Sequence, residues 1–349
     1  MQPYDAILVL SFGGPEGPDD VVPFMENVTR GRGIPRERLV EVSAHYSLFG
    51  GVSPINGLNR KLIADLKAEL ARHAIALPVY WGNRNWQPLL VDTLRQMRDD
   101  GIVRALCFVT SAYSSASGCR QYREDIQRAQ AEIGPGAPVV DKIRVFYNHP
   151  DFIQPMIDSA LESVRSIAAE LGVLDGVRIA CTAHSIPMAM ADTSDYVQQL
   201  TETSRLVCDG ISEHLGQHLP WALVFQSRSG APGQAWLEPD ICDHLATQQA
   251  DGARGVVMVP VGFISDHMEV VYDLDTQATV RAKELGLPIR RSATAATDGR
   301  FIGMIRELVQ ERIDVVAGAT PVRRAVGQYG ANHDVCPTDC CPNLQRPRH

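Results

Sequence analysis

Short apolar runs alternate along the chain with longer segments of helical periodicity, and this alternation limits the possible folds more than any other feature. The apolar runs predict strands at 5–11, 78–82, 104–110, 142–147, 177–183, 221–226, 255–261 and 288–292. Helical periodicity predicts helices at 58–73, 88–99, 121–132, 157–171, 195–215, 238–249, 269–285 and 299–316. Such alternation is typical of α/β proteins, in which helices cover both faces of parallel sheets.

The strand–helix pattern runs through the chain twice, once to about residue 150 and again to about residue 292. A length of 349 residues also favours two domains. We expect domains at 1–150 and 151–298, closely packed around a cleft because no low-complexity linker separates them. The last helix, within 299–318, is expected to pack back onto the first domain. Residues 319–349 carry Pro, Gly, Asn and charge, which predicts an irregular tail.

Charge and hydropathy exclude several classes of protein. The formal net charge is −8, and the one basic run is R-G-R-G-I-P-R-E-R at 30–38, which argues against nucleic acid as a partner. No apolar stretch approaches the ~18 residues that a membrane-spanning helix needs. The N-terminus, M-Q-P-Y-D-A-I-L-V-L, lacks the basic region of a signal peptide. We therefore predict a cytoplasmic protein.

Polar motifs follow two of the predicted strands. T-A-H-S-I-P at 182–187 carries His184, and V-P-V-G-F-I-S-D-H-M-E at 259–269 carries Asp266, His267 and Glu269. Ligands of parallel α/β sheets bind outside the carboxyl ends of strands, so the two motifs could face one another across one cleft. A histidine opposite carboxylates can bind a divalent metal and transfer protons. A purely structural histidine is the common alternative, but a loop at a strand end favours function.

Glu269, Asp273 and Gln277 follow one another at four-residue spacing, which would align them on one face of a helix. An exposed acidic face is the ordinary explanation of such a row. Apolar neighbours in E-V-V-Y-D at 269–273 suggest partial burial instead. We expect burial to raise the pKa of Glu269 and to suit it to accept a proton or to pass on a metal ion.

Loops near the strand ends carry glycines, aromatic residues and arginines. S-F-G-G-P-E-G-P at 11–18 lacks the G-x-G-x-x-G spacing, and its two prolines argue against a helix N-terminus there, so it predicts a tight turn open to a flat ligand. Arg30 and Arg32 could anchor carboxylates or belong to a solvated loop. Six aromatic residues could line a planar substrate or belong to the core: Phe12, Tyr46, Phe49, Tyr113, Tyr122 and Trp236.

Three cysteines, Cys336, Cys340 and Cys341, cluster in the polar tail. In a reducing compartment such a cluster suggests a metal more than disulfides. The C-x-x-C pairs of mononuclear zinc sites are absent, whereas an iron–sulfur cluster needs four thiolates. We expect the fourth thiolate from Cys119, in a loop, before Cys181, in a buried strand. A tail with free thiols is the alternative.

Together these motifs resemble the ferrochelatase family over nearly the whole chain. The likeness is carried by L-V-L-S-F-G-G-P (8–15), F-G-G-V-S-P-I (49–55), T-A-H-S-I-P (182–187), Q-S-R-S-G and W-L-E-P-D (226–240), and V-P-V-G-F-I-S-D-H-M-E-V-V-Y-D-L-D (259–275). The resemblance implies a class II chelatase-like fold of two Rossmann-like domains, with a porphyrin between them. It also implies a lyase of haem biosynthesis that inserts Fe²⁺. Residues 24–34 and 81–87 resemble the Gram-positive branch, which acts on coproporphyrin III.

The resemblance also assigns residues. His184 and Glu269 would be catalytic, and both would bind the metal together with Asp273. The porphyrin-binding residues would be Phe12, Arg30, His45, Tyr46, Ser53, Tyr122 and Trp236. Related enzymes carry a tyrosine in place of Phe12, so a proximal iron ligand is either lacking or supplied by Tyr122. Some relatives have an arginine in place of His45. A [2Fe–2S] cluster would be bound by Cys119, Cys336, Cys340 and Cys341, although the C-x-x-x-C-C spacing differs from that of animal enzymes.

Other activities stay open at this level. Protoporphyrin IX could replace coproporphyrin III as the substrate, and insertion of cobalt or nickel into another tetrapyrrole would need the same fold and ligand types. A non-catalytic carrier of haem or metal would need the cleft but no base. We expect a monomer that interacts with porphyrin and ferrous iron.

Overall fold

The computed structural model describes residues 3–31, 34–229 and 233–342 and shows an α/β protein with two parallel sheets. Each sheet has four strands, in the orders β2-β1-β3-β4 and β6-β5-β7-β8. The strands are β1 Ala6–Ser11, β2 Val79–Asn83, β3 Arg104–Val109, β4 Val139–Lys142, β5 Val177–His184, β6 Trp221–Gln226, β7 Gly255–Val259 and β8 Ile289–Arg291. The two Rossmann-like sheets confirm the predicted fold class.

Helices connect the strands and cover the sheets. They are α1 Pro18–Val28, α2 Arg36–Ser47, α3 Ile55–Arg72, α4 Leu90–Asp99, α5 Gln121–Ile133, α6 Pro150–Leu171, α7 Met188–Ala191, α8 Tyr196–Leu215, α9 Ile241–Ala250, α10 Met268–Tyr272, α11 Thr279–Glu284 and α12 Gly299–Val316. Two π-helical turns lie at Ala116–Arg120 and Asp273–Ala278. In the described part of the chain, no helix has both the length and the apolar character to cross a membrane.

The central strands are buried on both faces, which explains their continuous apolar sequences. Every residue of β1 is buried, and β1 lies between β2 and β3 with Ile7 in register with Val79 and Leu106. In the second sheet β5 occupies the corresponding place between β6 and β7. Helices on both sides exclude water from such strands, so neither face needs polar residues.

One hydrophobic core extends across both halves of the chain. It includes Val9 of the first sheet and Ile179 of the second, together with much of α6 and α12. Helix α12 packs against α3 and α6, so it contacts both halves. The Tyr113 hydroxyl also donates to the Val261 carbonyl, at 2.6 Å. The halves are therefore closely packed, while a domain boundary at residue 150 stays a prediction.

Three elements differ from the sequence-based expectation. The predicted strand 142–147 is wrong: β4 pairs at Val139–Lys142, and the apolar residues after it are buried as a loop. Helix α2 was not expected, because it buries only Leu39 and so lacks an apolar stripe. Helix α1 begins at Pro18, against the expectation that the prolines exclude a helix there; proline suits the first helical position because its missing N–H would have no partner there.

The predicted helix 269–285 is divided into α10, a π-helical turn and α11. Asp273 stands where the α-helical spacing changes, so Glu269, Asp273 and Gln277 do not form the regular row that four-residue spacing predicts. A π-helical turn inside a helix is often found at functional sites.

The tail that follows α12 is irregular, as predicted, but it is anchored by polar contacts. The buried Arg144 guanidinium donates to Glu311 on α12 at 2.7 Å and to the Arg324 carbonyl at 3.0 Å. Arg323 also contacts Glu311, at 3.2 Å. Asn148 donates to the Tyr329 carbonyl at 2.7 Å. These bonds hold the start of the tail on the protein surface.

Replacing Glu311 with alanine should lower the free energy of unfolding by about 3 kcal/mol, because it leaves a buried guanidinium without its carboxylate. The Arg144 and Glu311 side chains are 0% and 8% exposed. Urea denaturation followed by circular dichroism measures the effect. As a control, Asp65→Ala removes the exposed partner of Lys61 and should cost under about 1 kcal/mol. Equal losses in the free energy of unfolding of both variants would show that the buried pair contributes no more than the exposed one.

Candidate functional site

His184 is the last residue of β5, at the carboxyl edge of the second sheet. Its backbone carbonyl accepts a hydrogen bond from the Tyr196 hydroxyl at 3.0 Å, and its Nδ1 contacts the Ser185 carbonyl. A carbonyl only accepts, so this contact places a proton on Nδ1 and turns Nε2 towards the solvent-facing side. The side chain is 30% exposed. The ring is thus held at one end and open at the other.

Glu269 meets this open end of the histidine ring. Its Oε1 lies 3.4 Å from His184 Nε2. Glu269 stands in the first turn of α10, where the His267 side chain caps the helix by accepting the Glu269 N–H at 3.1 Å. Gln226, at the end of β6, donates to the Glu269 carbonyl at 2.6 Å. The structure therefore brings His184 and Glu269 together, as their positions at strand ends predicted. They meet as neighbours at one edge of the second sheet, so the expectation that the two motifs face one another across a cleft is wrong.

His184 and Glu269 each shift the pKa of the other towards its charged form. Burial lowers the pKa of His184, but the Glu269 carboxylate outweighs it and raises the pKa from 6.5 to about 9. Burial raises the pKa of Glu269, but the His184 ring outweighs it and lowers that pKa from 4.5 to about 2. The expected rise in the pKa of Glu269 is therefore wrong, because the histidine partner has a larger effect than burial.

Asp273 is the acid with a raised pKa. Burial, together with the nearby Glu269 charge, outweighs its hydrogen bond from the Ser227 hydroxyl and raises the pKa from 3.8 to about 7. Asp266, the other acid of this motif, turns away to the Arg291 guanidinium, at 3.1 Å, and to Thr294. The site thus holds one fixed carboxylate and one that titrates near neutrality.

Residues of the first half form the facing wall of the site. The His45 ring of α2 stacks on Tyr272 of α10, with centroids 4.2 Å apart. Burial, Glu269 and Asp273 raise the pKa of Tyr46, which places this phenol beside the two acids. Phe24 lies between Tyr46 and Phe12, 6.2 Å from each ring. Phe12 is 36% exposed, an unusual value for a large apolar side chain.

Ser53 and Trp236 flank the same region. Ser53 is buried beneath the glycine turn, and a side chain at Gly14 would come within 2.7 Å of its Cβ. Trp236 lies in a short segment that bridges to Pro187, directly after the His184 motif. Its indole Nε1 is buried and has no hydrogen-bond partner among the described residues.

The remaining candidate porphyrin-binding residues lie outside the group of contacts described above. Arg30 is exposed and donates to Asn27 at 2.5 Å. Arg32 falls outside the described residues. Tyr122 is only 4% exposed, in the cluster between β1, β3 and α5, with the Arg84 guanidinium 4.5 Å from its ring centroid. This burial disfavours Tyr122 as an open iron ligand, and the roles of all these residues stay predictions.

The four candidate cluster cysteines form a second site. Cys119 Sγ lies 3.9 Å from Cys336 Sγ, and Cys340 Sγ lies 3.4 Å from Cys341 Sγ. All four line one small cavity with Arg120, Arg123 and Lys142. Hydrogen bonding from Cys336 and the charge of Lys142 outweigh burial and lower the pKa of Cys119 to about 5. Cys119 is 4% exposed and Cys181 is completely buried, so Cys119 is the more accessible of the two candidates, as expected.

Several residues of both sites were missed at the level of sequence. Ser227 follows directly after β6, so the rule that sites lie at strand ends could have identified it. Lys142 ends β4, whose parallel register places it opposite Cys107 of β3. Phe24 belongs to α1, a helix that was not predicted, and nothing in its own sequence context marked it.

The comparisons with known proteins agree with this arrangement. The ferrochelatase family model matches residues 4–313. A protein of Streptomyces coelicolor named coproporphyrin III ferrochelatase is 56% identical, over 97% of this chain and 94% of the relative. A Streptomyces griseus protein of the same name is 53% identical over the same shares. A Rhodopirellula baltica protein named ferrochelatase is 50% identical over 100% of this chain and 95% of the relative.

Both the family model and the relatives span most of the chain, including the motifs of His184 and Glu269. The chain belongs to the ferrochelatase family, whose enzymes insert iron into a porphyrin.

Proposed function

We propose that this protein inserts Fe²⁺ into coproporphyrin III in haem biosynthesis. The observation that carries the proposal is the contact of His184 Nε2 with Glu269 Oε1, at 3.4 Å, on the edge of the second sheet that faces Tyr46 of the first half. The names of the Streptomyces relatives support coproporphyrin III as the substrate. Iron is a substrate in this reaction, which replaces two pyrrole protons by the metal ion.

The charges at the site suit the exchange of a cation for protons. His184, with a pKa of about 9, carries a proton at neutral pH and pairs with the Glu269 carboxylate. It must release that proton before its ring can accept one from a pyrrole or bind iron. A divalent cation beside Glu269 would repel the proton and so free the ring. Binding of the metal ion beside Glu269 would thereby make the deprotonated His184 ring available as a base.

Asp273 is suited to pass on protons or metal. Its pKa of about 7 means that both protonation states are populated near neutral pH. The Ser227 hydroxyl holds the carboxyl group in place, close enough to Glu269 for its charge to raise the pKa of Asp273. We assign Asp273 the second position on the metal path, next to Glu269 and His184.

The aromatic wall would hold the macrocycle. Phe12 and Tyr46 each pack edge to face on Phe24, and Trp86 does so at 6.3 Å. A bent porphyrin directs its nitrogen lone pairs outward and resembles the transition state, so a site that binds the bent form lowers the barrier. Phe12 offers no ligand atom, so in this proposal the metal is delivered from the His184 side alone.

The other predicted porphyrin contacts complete the proposal. His45 and Ser53 lie on the wall beside Tyr46 and the glycine turn, and the free N–H of Trp236 could donate to a ligand. Arg30 is exposed near the start of the wall and could pair with a carboxylate of coproporphyrin III. Tyr122 is buried in the cluster between β1, β3 and α5, so we propose no direct contact of Tyr122 with the metal.

We further propose that Cys119, Cys336, Cys340 and Cys341 bind a [2Fe–2S] cluster. With metal–sulfur bonds of about 2.3 Å, two thiolates of a tetrahedral site lie about 3.8 Å apart. The separations of 3.9 Å and 3.4 Å match two such pairs, one for each iron. His333 also lies within 4.8 Å of Cys336 and Cys340 but is a less suitable partner for a four-thiolate cluster. When bound, the cluster supplies one-electron chemistry.

His184→Ala should reduce iron insertion about 100-fold or more, because it removes the proton acceptor, while porphyrin binding persists. The assay follows absorbance under anaerobic conditions with Fe²⁺ and either coproporphyrin III or protoporphyrin IX. His218→Ala, which changes an exposed histidine, should keep normal turnover. A preference of the unmodified protein for protoporphyrin IX or for Co²⁺ would contradict the proposed substrates, and binding without product would indicate a carrier.

Glu269→Gln should lower the pKa of His184 from about 9, because burial is then opposed only by the Ser185 carbonyl and the Asp273 charge, which have smaller effects than Glu269. Histidine-labelled protein titrated by NMR gives this value directly. Asp275→Asn, which removes a partner of Arg291, serves as the control and should leave the His184 pKa unchanged. A His184 pKa that stays near 9 in Glu269→Gln would exclude the ion pair as its cause.

Cys340→Ser should remove the visible absorbance of the purified protein, because a serine oxygen replaces one of four thiolates. Iron and acid-labile sulfide are measured on the same samples. Cys242→Ser changes a free cysteine of α9 and should leave the spectrum intact. An unmodified protein without sulfide would disprove the cluster, and an unaltered Cys340→Ser spectrum would remove Cys340 as a ligand.

A further inference from the structure

We propose that Lys142 raises the reduction potential of the iron–sulfur site by placing its ammonium group against the sulfur of Cys119. The inference rests on the proposed cluster and assigns a tuning role to a residue outside the thiolate set. Lys142 Nζ lies 3.1 Å from Cys119 Sγ and 3.2 Å from the Cys119 carbonyl oxygen. Two contacts to one residue fix the position of the charge.

The fold explains why a lysine reaches this thiol. Lys142 is the last residue of β4, and it pairs with Cys107 of the neighbouring β3. The chain that leaves β3 reaches the π-helical turn Ala116–Arg120, which carries Cys119. Parallel strands end at the same edge of a sheet, so the end of β4 lies beside this turn. The lysine is therefore placed by strand pairing and does not depend on the tail.

The other two cations of the cavity have different partners. Arg123 donates to the carbonyl of Pro337 at 3.0 Å. Arg120 donates to the carbonyl of Cys340 at 3.1 Å and pairs with Glu124 at 2.7 Å. These arginines hold the tail backbone. Among the cations that line this cavity, Lys142 is the one with a direct contact to a sulfur atom.

Among the described residues, no acid pairs with Lys142. Within the described ranges of the chain, no carboxylate oxygen lies within ion-pair distance of Lys142. The neighbouring Asp141 pairs instead with Arg104, at 2.6 Å. The nearest negative charge available to the ammonium group is therefore a Cys119 thiolate, free or bound to iron.

A cation at this place favours the reduced state. Two ferric ions, two sulfides and four thiolates together carry two negative charges, and one electron from a one-electron donor makes it three. A fixed positive charge beside a ligand sulfur stabilises the more negative state, and hydrogen bonds to sulfur act in the same direction. Because Cys119 is only 4% exposed, water screens the interaction at its sulfur less than it would at the protein surface.

The test compares Lys142→Met and Lys142→Arg in the full chain. Dithionite titration with redox mediators, monitored by EPR, gives the midpoint potential. Lys142→Met should lower the ratio of reduced to oxidised cluster at fixed potential at least tenfold, which corresponds to about 59 mV for one electron. Lys142→Arg, which keeps the charge, should stay near the unmodified protein. Arg128→Gln removes a charge from the exposed side of α5 and is the matched control.

The outcomes distinguish failure of this inference from failure of the proposed iron–sulfur cluster. If the unmodified protein lacks iron and sulfide, the proposed cluster itself fails. If the cluster is present and Lys142→Met and Lys142→Arg have equal midpoints, the role of Lys142 is disproved. Should Lys142→Met not retain iron, Lys142→Gln takes its place, and an equal potential in Lys142→Gln and Lys142→Arg overturns the inference in the same way.

Discussion

The arrangement of this protein depends on the common direction of its parallel strands. Because β5, β6 and β7 all end at one edge of the second sheet, the residues that follow them must share a small volume. His184 and Gln226 end β5 and β6, Glu269 follows β7, and the three residues meet although they are distant in sequence. The same rule in the first sheet brings Lys142 to Cys119. In both sites the common strand direction brings the residues together, and individual contacts then fix their geometry.

Sequence periodicity predicted the buried elements well and the exposed ones poorly. β1, β6 and α12 appear almost where apolar runs placed them, since burial is what such runs report. Helix α2 has almost no buried face and so left no periodic signal. In the run at 142–147, Lys142 ends β4 and the apolar residues after it are largely buried outside any strand; hydrophobicity alone does not distinguish a buried loop from a buried strand. Whether an apolar run pairs as a strand depends on the neighbouring strand, and a local sequence pattern carries no information about that neighbour.

The candidate site was predictable in its members and less so in its charges. His184 and Glu269 stand out because polar motifs follow buried strands, and the structure brings them to 3.4 Å. Their pKa values depend on that distance and on burial together, so the sequence could not show that Glu269 is held ionised and that Asp273 titrates instead. Ser227, which donates to Asp273, was missed because a lone serine is inconspicuous, although its place directly after β6 was a usable signal.

The hydrogen bonds that hold the tail on the protein surface also affect how the proposed cluster would be incorporated. Cys119 and Cys336 are separated by 217 positions, yet Arg144, Asn148 and Arg123 already bring the tail backbone to the first sheet by hydrogen bonds. The entropy of closing so long a loop is therefore spent during folding and not when metal arrives. In the proposed cluster site the thiols would thus be preorganised, so incorporation of iron and sulfide would require little rearrangement of the polypeptide.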